Sequence, residues 1–191
     1  HYAKGSPVLR NVNLHIRPGE TVALVGPTGA GKTTLVSLLL RLYDVVEGRI
    51  TVDGHDIREV SRDSMVHQMS IVPQEPYLFS ATVRENIRYN HTDAPDEEVE
   101  RAAAAVGAHA FITKLDQGYD TLLQERGGNL SIGQRQLISF ARAVVANPGS
   151  LLLDEATANV DTHSETIIQK ALKELLRGRS AVVIADRLST I

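Results

Sequence analysis

The hydrophobic pattern near the start of the chain predicts strands around one glycine-rich loop. A β-branched, nearly apolar run at 21–25 is typical of a buried parallel strand. The glycine-rich segment after it leads into a helix predicted over 33–42. Apolar and polar residues alternate at 8–16, which predicts a strand or hairpin despite a break at 10–11.

Helical periodicity dominates the middle of the chain, from about 82 to 145, and strand-like runs return only after it. One stretch of this region is rich in Glu and Ala, and another is amphipathic. Beyond the first helix, we expect strands at 49–52, 70–72, 151–153 and 181–185, and helices at 96–106, 132–146 and 164–176.

This order of elements predicts an α/β core that is interrupted by a helical insert. We expect one domain over 1–191, truncated at its C-terminus, because the chain stops directly after a strand-like run. Its catalytic core is assigned to approximately 1–74 and 146–191, and its helical subdomain to approximately 75–145.

Composition narrows the class of protein. The net charge of −3 provides no overall basic field that would indicate a nucleic-acid partner. The chain has no cysteine, which excludes disulfides and thiolate metal sites within it. Its apolar runs are far shorter than the roughly 20 residues that span a bilayer, and we find no signal-peptide pattern.

The loop after the first buried strand matches the phosphate-binding pattern G-x-x-x-x-G-K-[ST] at every fixed position. Glycines let successive amides approach phosphate oxygens, and the following helix adds its positive end. Lys32 is expected at the β- and γ-phosphates of ATP, and Thr33 on Mg²⁺. The alternative is a glycine-rich turn with an unrelated lysine. The predicted nucleotide-binding residues here are Gly26, Pro27, Thr28, Gly29, Ala30, Gly31, Lys32, Thr33 and, at the α-phosphate, Thr34.

Two acids end the apolar strand predicted at 151–153. Asp154 would hold Mg²⁺ through water, and Glu155 would polarise the attacking water as general base. An acidic turn after a strand is the alternative, and the phosphate loop favours the catalytic interpretation.

A further motif precedes the amphipathic helix: Leu130, Ser131, Ile132, Gly133 and Gln134. It resembles the signature loop of ATP-binding cassette (ABC) ATPases, usually Leu-Ser-Gly-Gly-Gln, with isoleucine in place of the first glycine. Its spacing of serine and glutamine also matches a capping box, so a well-capped helix is the alternative.

Smaller motifs agree with this resemblance. Gln74 lies in a segment similar to the family's Q-loop, where it would reach the metal and the attacking water. Asp161 lies in a segment that resembles the D-loop at the dimer interface. Tyr2 is placed like the aromatic residue that stacks on adenine. An ordinary loop amide and a surface ring are the alternatives for Gln74 and Tyr2.

The resemblance implies a P-loop NTPase (RecA-like) core with an N-terminal antiparallel β subdomain and an inserted α-helical subdomain. It implies ATP and Mg²⁺ as cofactors. Two such domains, identical or different, would pair head to tail, with each ATP between one phosphate loop and the partner's signature loop. An anion site at the N-terminus of the signature helix suits this role.

Two stretches, at 76–87 and 125–127, resemble the exporter branch of the family. This implies a transmembrane domain, fused N-terminally, and a location on the cytoplasmic face of a membrane, with a bacterial inner membrane favoured. The apolar segment 77–79 is a candidate docking patch for the membrane domain, and a buried subdomain core is the alternative.

One position departs from the family. A histidine usually follows the last strand, and here Asp186 occupies its place, followed by Arg187. A carboxylate accepts hydrogen bonds only and would repel a triphosphate by roughly 4 kcal/mol at 4 Å, for an effective ε of about 20. We expect Asp186 to turn away, pair with a cation or stay protonated. A naturally weakened site and an engineered substitution both remain open.

Other classes of nucleotide-binding protein explain less of the sequence. Residues 113–116 loosely resemble the guanine-reading motif of GTPases, Asn-Lys-x-Asp. No Asp-x-x-Gly occurs in the chain, so no GTPase switch can be assigned. A small-molecule kinase would leave the signature loop unexplained. A non-transport ABC ATPase acting on nucleic acid or ribosomes would usually carry a basic surface or a long coiled coil.

Overall fold

The computed structural model describes residues 8–154 and 162–185, with side chains in the second range from Glu165 onward. Its elements, in chain order, are β1 (Thr21–Val25), α1 (Lys32–Leu39), β2 (Thr51–Val52), β3 (His55–Asp56), α2 (Arg62–Gln68), β4 (Met69–Val72), α3 (Val83–Ile87), α4 (Asp96–Ala105), α5 (His109–Ile112), α6 (Ile132–Ala146), β5 (Ser150–Asp154), α7 (Thr162–Leu176) and β6 (Ser180–Ala185). Short 3₁₀ turns lie at Gly118–Asp120 and Glu125–Gly127.

A four-stranded parallel sheet forms the centre of the fold, in the order β1-β6-β5-β4. The apolar runs predict β5 and β6 well because both strands are central and almost wholly buried. β1 is parallel, as predicted, but it is not the buried strand that we expect from its sequence: its three middle residues are half-buried and its two end residues are exposed. The strand is an edge of the described sheet, and Val25 is 43% exposed.

Successive residues of the central strands face opposite sides of the sheet, and both sides are covered. On β5, Leu151 and Leu153 belong to the larger buried cluster, which they share with α6 and α7. Leu152, between them, belongs to a second cluster with α1 and α2. The sheet is therefore the middle layer of an α/β fold, as expected.

A two-stranded antiparallel hairpin, β2–β3, accompanies this sheet. Asp53 and Gly54 form its turn with φ of 50° and 85°, the left-handed conformation that two-residue hairpins favour. The strand or hairpin expected at 8–16 is absent, since these residues adopt neither strand nor helix. Asn11 has a φ of 51°, which breaks the extended conformation where the pattern is interrupted.

The helical region packs onto the sheet rather than standing apart from it. Buried residues of α3, α4, α5 and α6 share the larger cluster with β4, β5 and α7. Phe140 of α6, fully buried, lies in this cluster. Arg84 of α3 forms ion pairs with Asp96 and Glu100 of α4 and with Asp120, which hold α3 against its neighbours.

Among the described residues, none of the helices has both the length and the apolar character that a membrane span requires.

We predict that Phe140→Ala lowers the free energy of unfolding by about 3–5 kcal/mol, because it removes a fully buried ring and leaves a cavity. Val66→Ala is the control: Val66 is 63% exposed, and its change should stay within about 0.5 kcal/mol. Urea denaturation measures both. A loss below about 1 kcal/mol for Phe140→Ala would contradict the described core.

Candidate nucleotide-binding site

The phosphate loop connects the end of β1 to the start of α1, as predicted. Gly29 and Gly31 adopt φ of 86° and 95°, which side chains rarely allow. A Cβ on Gly31 would also lie 2.8 Å from Cδ2 of Leu9. Gly31 is the N-cap of α1 and supplies no side-chain cap to the first-turn amides. A helix that begins in this way is well suited to bind an anion.

Lys32 points back into this loop. Its Nζ donates hydrogen bonds to the carbonyl oxygens of Gly26, at 2.5 Å, and of Pro27, at 3.4 Å. The loop therefore curves around the ammonium group, which lies where a phosphate oxygen could exchange for a carbonyl oxygen. Thr33 follows on the first turn of α1 and is exposed, whereas Thr34 is half-buried.

The register of the parallel sheet brings Asp154 and Gln74 to the same edge as the phosphate loop. Val25 pairs with Ala185, Ile184 with Asp154, and Leu153 with Val72. The loop after β1, Asp154 at the end of β5 and Gln74 just after β4 consequently share the carboxyl edge of the sheet. Open α/β sheets bind their ligands at this edge.

The donor types at this edge suit Mg²⁺. The hydroxyl of Thr33, the carboxylate of Asp154 and the amide oxygen of Gln74 are hard oxygen ligands. Among the described residues, no group of three or more His, Cys, Asp or Glu could hold a metal by itself. Mg²⁺ in nucleotide sites usually takes only one or two ligands from the protein, because phosphate oxygens and water complete its coordination shell.

The signature loop forms the N-terminus of α6. The Ser131 hydroxyl accepts from the Gln134 amide at 3.2 Å, and the Gln134 Oε1 accepts from the Ser131 amide at 2.9 Å. This is the capping box that its spacing predicts. Ser131 and Ile132 are exposed, while Gly133 is buried. The box orders the loop and leaves its exposed side open to a partner, so the two interpretations of the motif are compatible.

The segment after Gln74 divides between core and surface. Leu78 is fully buried, whereas Tyr77 is 48% exposed. Tyr77 packs edge-on against Phe79, with ring centroids 5.1 Å apart, and Phe79 stacks on Tyr89 at 4.4 Å. Neighbouring residues of an extended segment point to opposite sides, so the segment is core at Leu78 and surface at Tyr77. Docking of a membrane domain on 77–79 stays a prediction.

The exporter-like stretch at Glu125–Gly127 contacts this segment directly. Arg126 and Gly127 are left-handed, with φ of 56° and 69°. A Cβ on Gly127 would lie 2.9 Å from Cδ1 of Leu78, so glycine permits the close approach. The two exporter-like stretches are thus packed against one another.

Four predicted site residues lie outside the described residues: Tyr2, Glu155, Asp161 and Asp186. Glu155 and Asp186 immediately follow β5 and β6 in the sequence.

Sequence reasoning missed one polar cluster, formed by Arg142 of α6 and Asn86 of α3 against the segment that follows Gln74. The available signal was an arginine in the largely apolar second half of an amphipathic helix.

Comparison with known proteins agrees with this geometry. The family model described as ABC transporter matches residues 9–158. The ATP-dependent lipid A-core flippase of Syntrophus aciditrophicus (strain SB) is 53% identical over 97% of this chain and 31% of its own length. The fatty acid ABC transporter ATP-binding/permease protein of Mycobacterium bovis (strain ATCC BAA-935 / AF2122/97) is 48% identical over 100% of this chain and 30% of its own length.

A solved structure of a bacterial Atm1-family ABC exporter with ATP bound superposes with a TM-score of 0.92. It is 42% identical and covers 100% of this chain and 33% of its own. This chain belongs to the ABC transporter family. The predictions of an ABC ATPase fold, of an ATP-binding and ATP-hydrolysing domain, and of similarity to the exporter branch are thereby confirmed. The chain spans about a third of the length of the relatives it matches.

We predict that Lys32→Ala weakens Mg·ATP binding by about 10- to 100-fold, because it removes a charge-assisted contact to phosphate. Calorimetric titration measures the affinity. Lys170→Ala, which changes an exposed lysine of α7, is the matched control and should bind as the unaltered protein does. Equal affinities for the two variants, with both folded, would contradict the assignment of Lys32.

Proposed function

We propose that this chain binds Mg·ATP at the carboxyl edge of its sheet and hydrolyses it to drive transport across a membrane. The observation that carries the proposal is that the phosphate loop and the signature loop are both formed and both reachable at the surface of the same chain. One triphosphate needs only one phosphate loop. A second anion site on the same subunit is explained most simply if it serves a partner's nucleotide.

Each residue at the edge has a role in this proposal. Lys32 binds the β- and γ-phosphates, the amides of the loop surround them, and Thr34 reaches the α-phosphate. Thr33 and, through water, Asp154 hold Mg²⁺, which neutralises phosphate charge when bound. Gln74 orients the attacking water, and Glu155 accepts its proton. Tyr2 stacks on adenine.

Pairing of two domains follows from the exposed signature loop. Ser131, Ile132, Gly133 and Gln134 face the γ-phosphate held by the partner domain, and Asp161 lies at the interface between them. The bound ATP bridges the pair, and hydrolysis removes the bridging phosphate. Because ATP binds the closed pair better than ADP does, hydrolysis shifts the equilibrium towards separation.

Transport as the purpose of this cycle is supported by relatives named as a flippase, as an ATP-binding/permease protein and as an exporter. Those relatives are about three times as long as this chain, which supports a fused transmembrane domain. The exporter resemblance implies that it is fused N-terminally. The protein then works on the cytoplasmic face of a membrane, a bacterial inner membrane being favoured by the bacterial relatives. Residues 75–145 form the helical subdomain of this unit, between the two parts of the catalytic core.

No observation favours an ABC ATPase that acts on nucleic acid or ribosomes. The net charge of −3 offers no basic field for a nucleic-acid partner. Relatives named as transporters support transport instead.

Asp186 lowers the rate in this proposal, because an ionised carboxylate cannot donate a hydrogen bond to the γ-phosphate. We predict that Asp186→His raises steady-state ATP turnover of the intact protein by about 10-fold, a gain typical of one added donor in the transition state. Phosphate release measures the turnover. Unchanged turnover at normal ATP affinity would count against the proposed role of position 186.

A matched pair of helix caps tests the signature loop. Ser131 caps α6 and Ser61 caps α2 in the same way, each accepting from the amide three residues on. We predict that Ser131→Ala and Ser61→Ala each cost about 1 kcal/mol of stability. Only Ser131→Ala should also lower ATP turnover, by about 10-fold or more, with Mg·ATP affinity for the phosphate loop retained.

Thermal melting and phosphate release are measured on both variants. Equal ATP turnover of the two variants would mean that Ser131 acts only as a helix cap. It would remove the support for two domains that pair around ATP.

A further inference from the structure

Arg142 lies on α6, ten residues after Ile132, the first residue of the helix. At 1.5 Å per residue, the guanidinium attaches about 15 Å along the helix from the signature loop. Arg142 therefore belongs to the same rigid element as Ser131 but to its opposite end.

All three types of guanidinium nitrogen contact the region between Gln74 and the end of α3. Nε donates to the Asn86 carbonyl oxygen at 2.8 Å, and Nη2 donates to Asn86 Oδ1 at 3.1 Å. Nη1 donates to the Tyr77 carbonyl oxygen at 3.1 Å. These three bonds use the planar fork of arginine, which a lysine ammonium cannot reproduce.

Asn86 extends this contact to the rest of the segment. It is 1% exposed. Its Oδ1 accepts from the Phe79 amide at 2.8 Å, and its Nδ2 donates to the carbonyl oxygens of Phe79 and Thr82 at 3.0 Å each. The side-chain amide of Asn86 therefore fixes the loop 77–82 by hydrogen bonds, and Arg142 in turn donates a hydrogen bond to this amide.

Aromatic rings complete the surroundings of Arg142. Its guanidinium carbon lies 5.8 Å from the Phe79 ring centroid and 5.4 Å from that of Tyr89, and these two rings stack on each other. Both distances are within the range of cation–π attraction.

No ion pair among the described residues includes Arg142. Burial lowers the pKa of Arg142 to about 10, so the group remains charged at neutral pH. A charge kept in such a place without a carboxylate costs stability. An apolar side chain could fill the space but would remove the donors to the Asn86 and Tyr77 carbonyl oxygens, so hydrogen bonding to this segment, and not packing alone, accounts for arginine here.

We propose that Arg142 is a positioning residue that locks the segment after Gln74 to the signature helix, so that the loops carrying Gln74 and Ser131 keep a constant spacing. This inference rests on the proposed function, because it assigns consequences to two loops that act on ATP. In this arrangement, movement of the segment 77–79 displaces α6 together with the signature loop at its N-terminus. Arg142 itself touches no nucleotide.

The experiment compares Arg142→Lys with Arg177→Lys in the intact protein by steady-state ATP kinetics and Mg·ATP titration. Arg177 is an exposed arginine near the end of α7, 79% accessible, and serves as the matched control. We expect Arg142→Lys to lower kcat by about 10-fold, the loss typical of misplaced reacting groups, while Mg·ATP affinity changes less than about twofold. Arg177→Lys should change neither.

Tyr89 supplies a second variant that does not endanger folding, because its side chain is 52% exposed. Tyr89→Leu removes the ring beside Arg142 and should lower kcat by about threefold, whereas Tyr89→Phe keeps the ring and should restore the unaltered rate. This comparison decides the matter if Arg142→Lys does not fold.

The proposal is overturned if kcat of folded Arg142→Lys is unchanged, or if its Mg·ATP affinity falls as much as its kcat. It is also overturned if Tyr89→Leu and Tyr89→Phe turn over ATP equally. Failure of the proposed function has a different signature: the unaltered protein would hydrolyse no ATP, and Lys32→Ala would leave nucleotide binding intact.

Discussion

Parallel pairing of the four central strands is the constraint on which the proposed site depends. Because the strands run in one direction, the loop after Val25, the carboxylate of Asp154 and the segment with Gln74 all emerge at one edge. Residues more than a hundred positions apart in sequence are thereby brought to one edge of the sheet. The start of α1 adds its amides at the same edge, where a triphosphate and its metal would be held.

Sequence periodicity predicted the strongest elements almost to the residue. The bounds expected for β1 and α6 agree with the structure, and those of β5, β6 and α7 differ by one or two residues. These runs are long or uniformly apolar, so tertiary contacts and local preference agree. The prediction of a strand at 8–16 failed because alternation of apolar and polar residues does not supply a strand to pair with. Asn11, with its left-handed φ, also turns the chain out of the extended conformation.

Other features depend on three-dimensional neighbours that no local pattern contains. The phosphate loop was predictable because its chemistry needs fixed residue types at fixed spacing. The division of 77–79 into buried Leu78 and exposed Tyr77 depends on packing against Gly127, distant in sequence. The cluster of Arg142 and Asn86 joins α6 to α3 across 56 positions, so only the fold reveals it. It also retains a partly buried charge where the signature helix meets the segment after Gln74.

The most direct test of this account is amide hydrogen exchange of the intact protein with Mg²⁺ and a non-hydrolysable ATP analogue, compared with Mg·ADP. If the two loops share one triphosphate, ADP slows exchange at 26–34 alone, whereas the triphosphate slows exchange at 26–34 and also at 131–135. Slowing at 26–34 only, with both nucleotides, would contradict the claim that one triphosphate is shared by a phosphate loop and a signature loop.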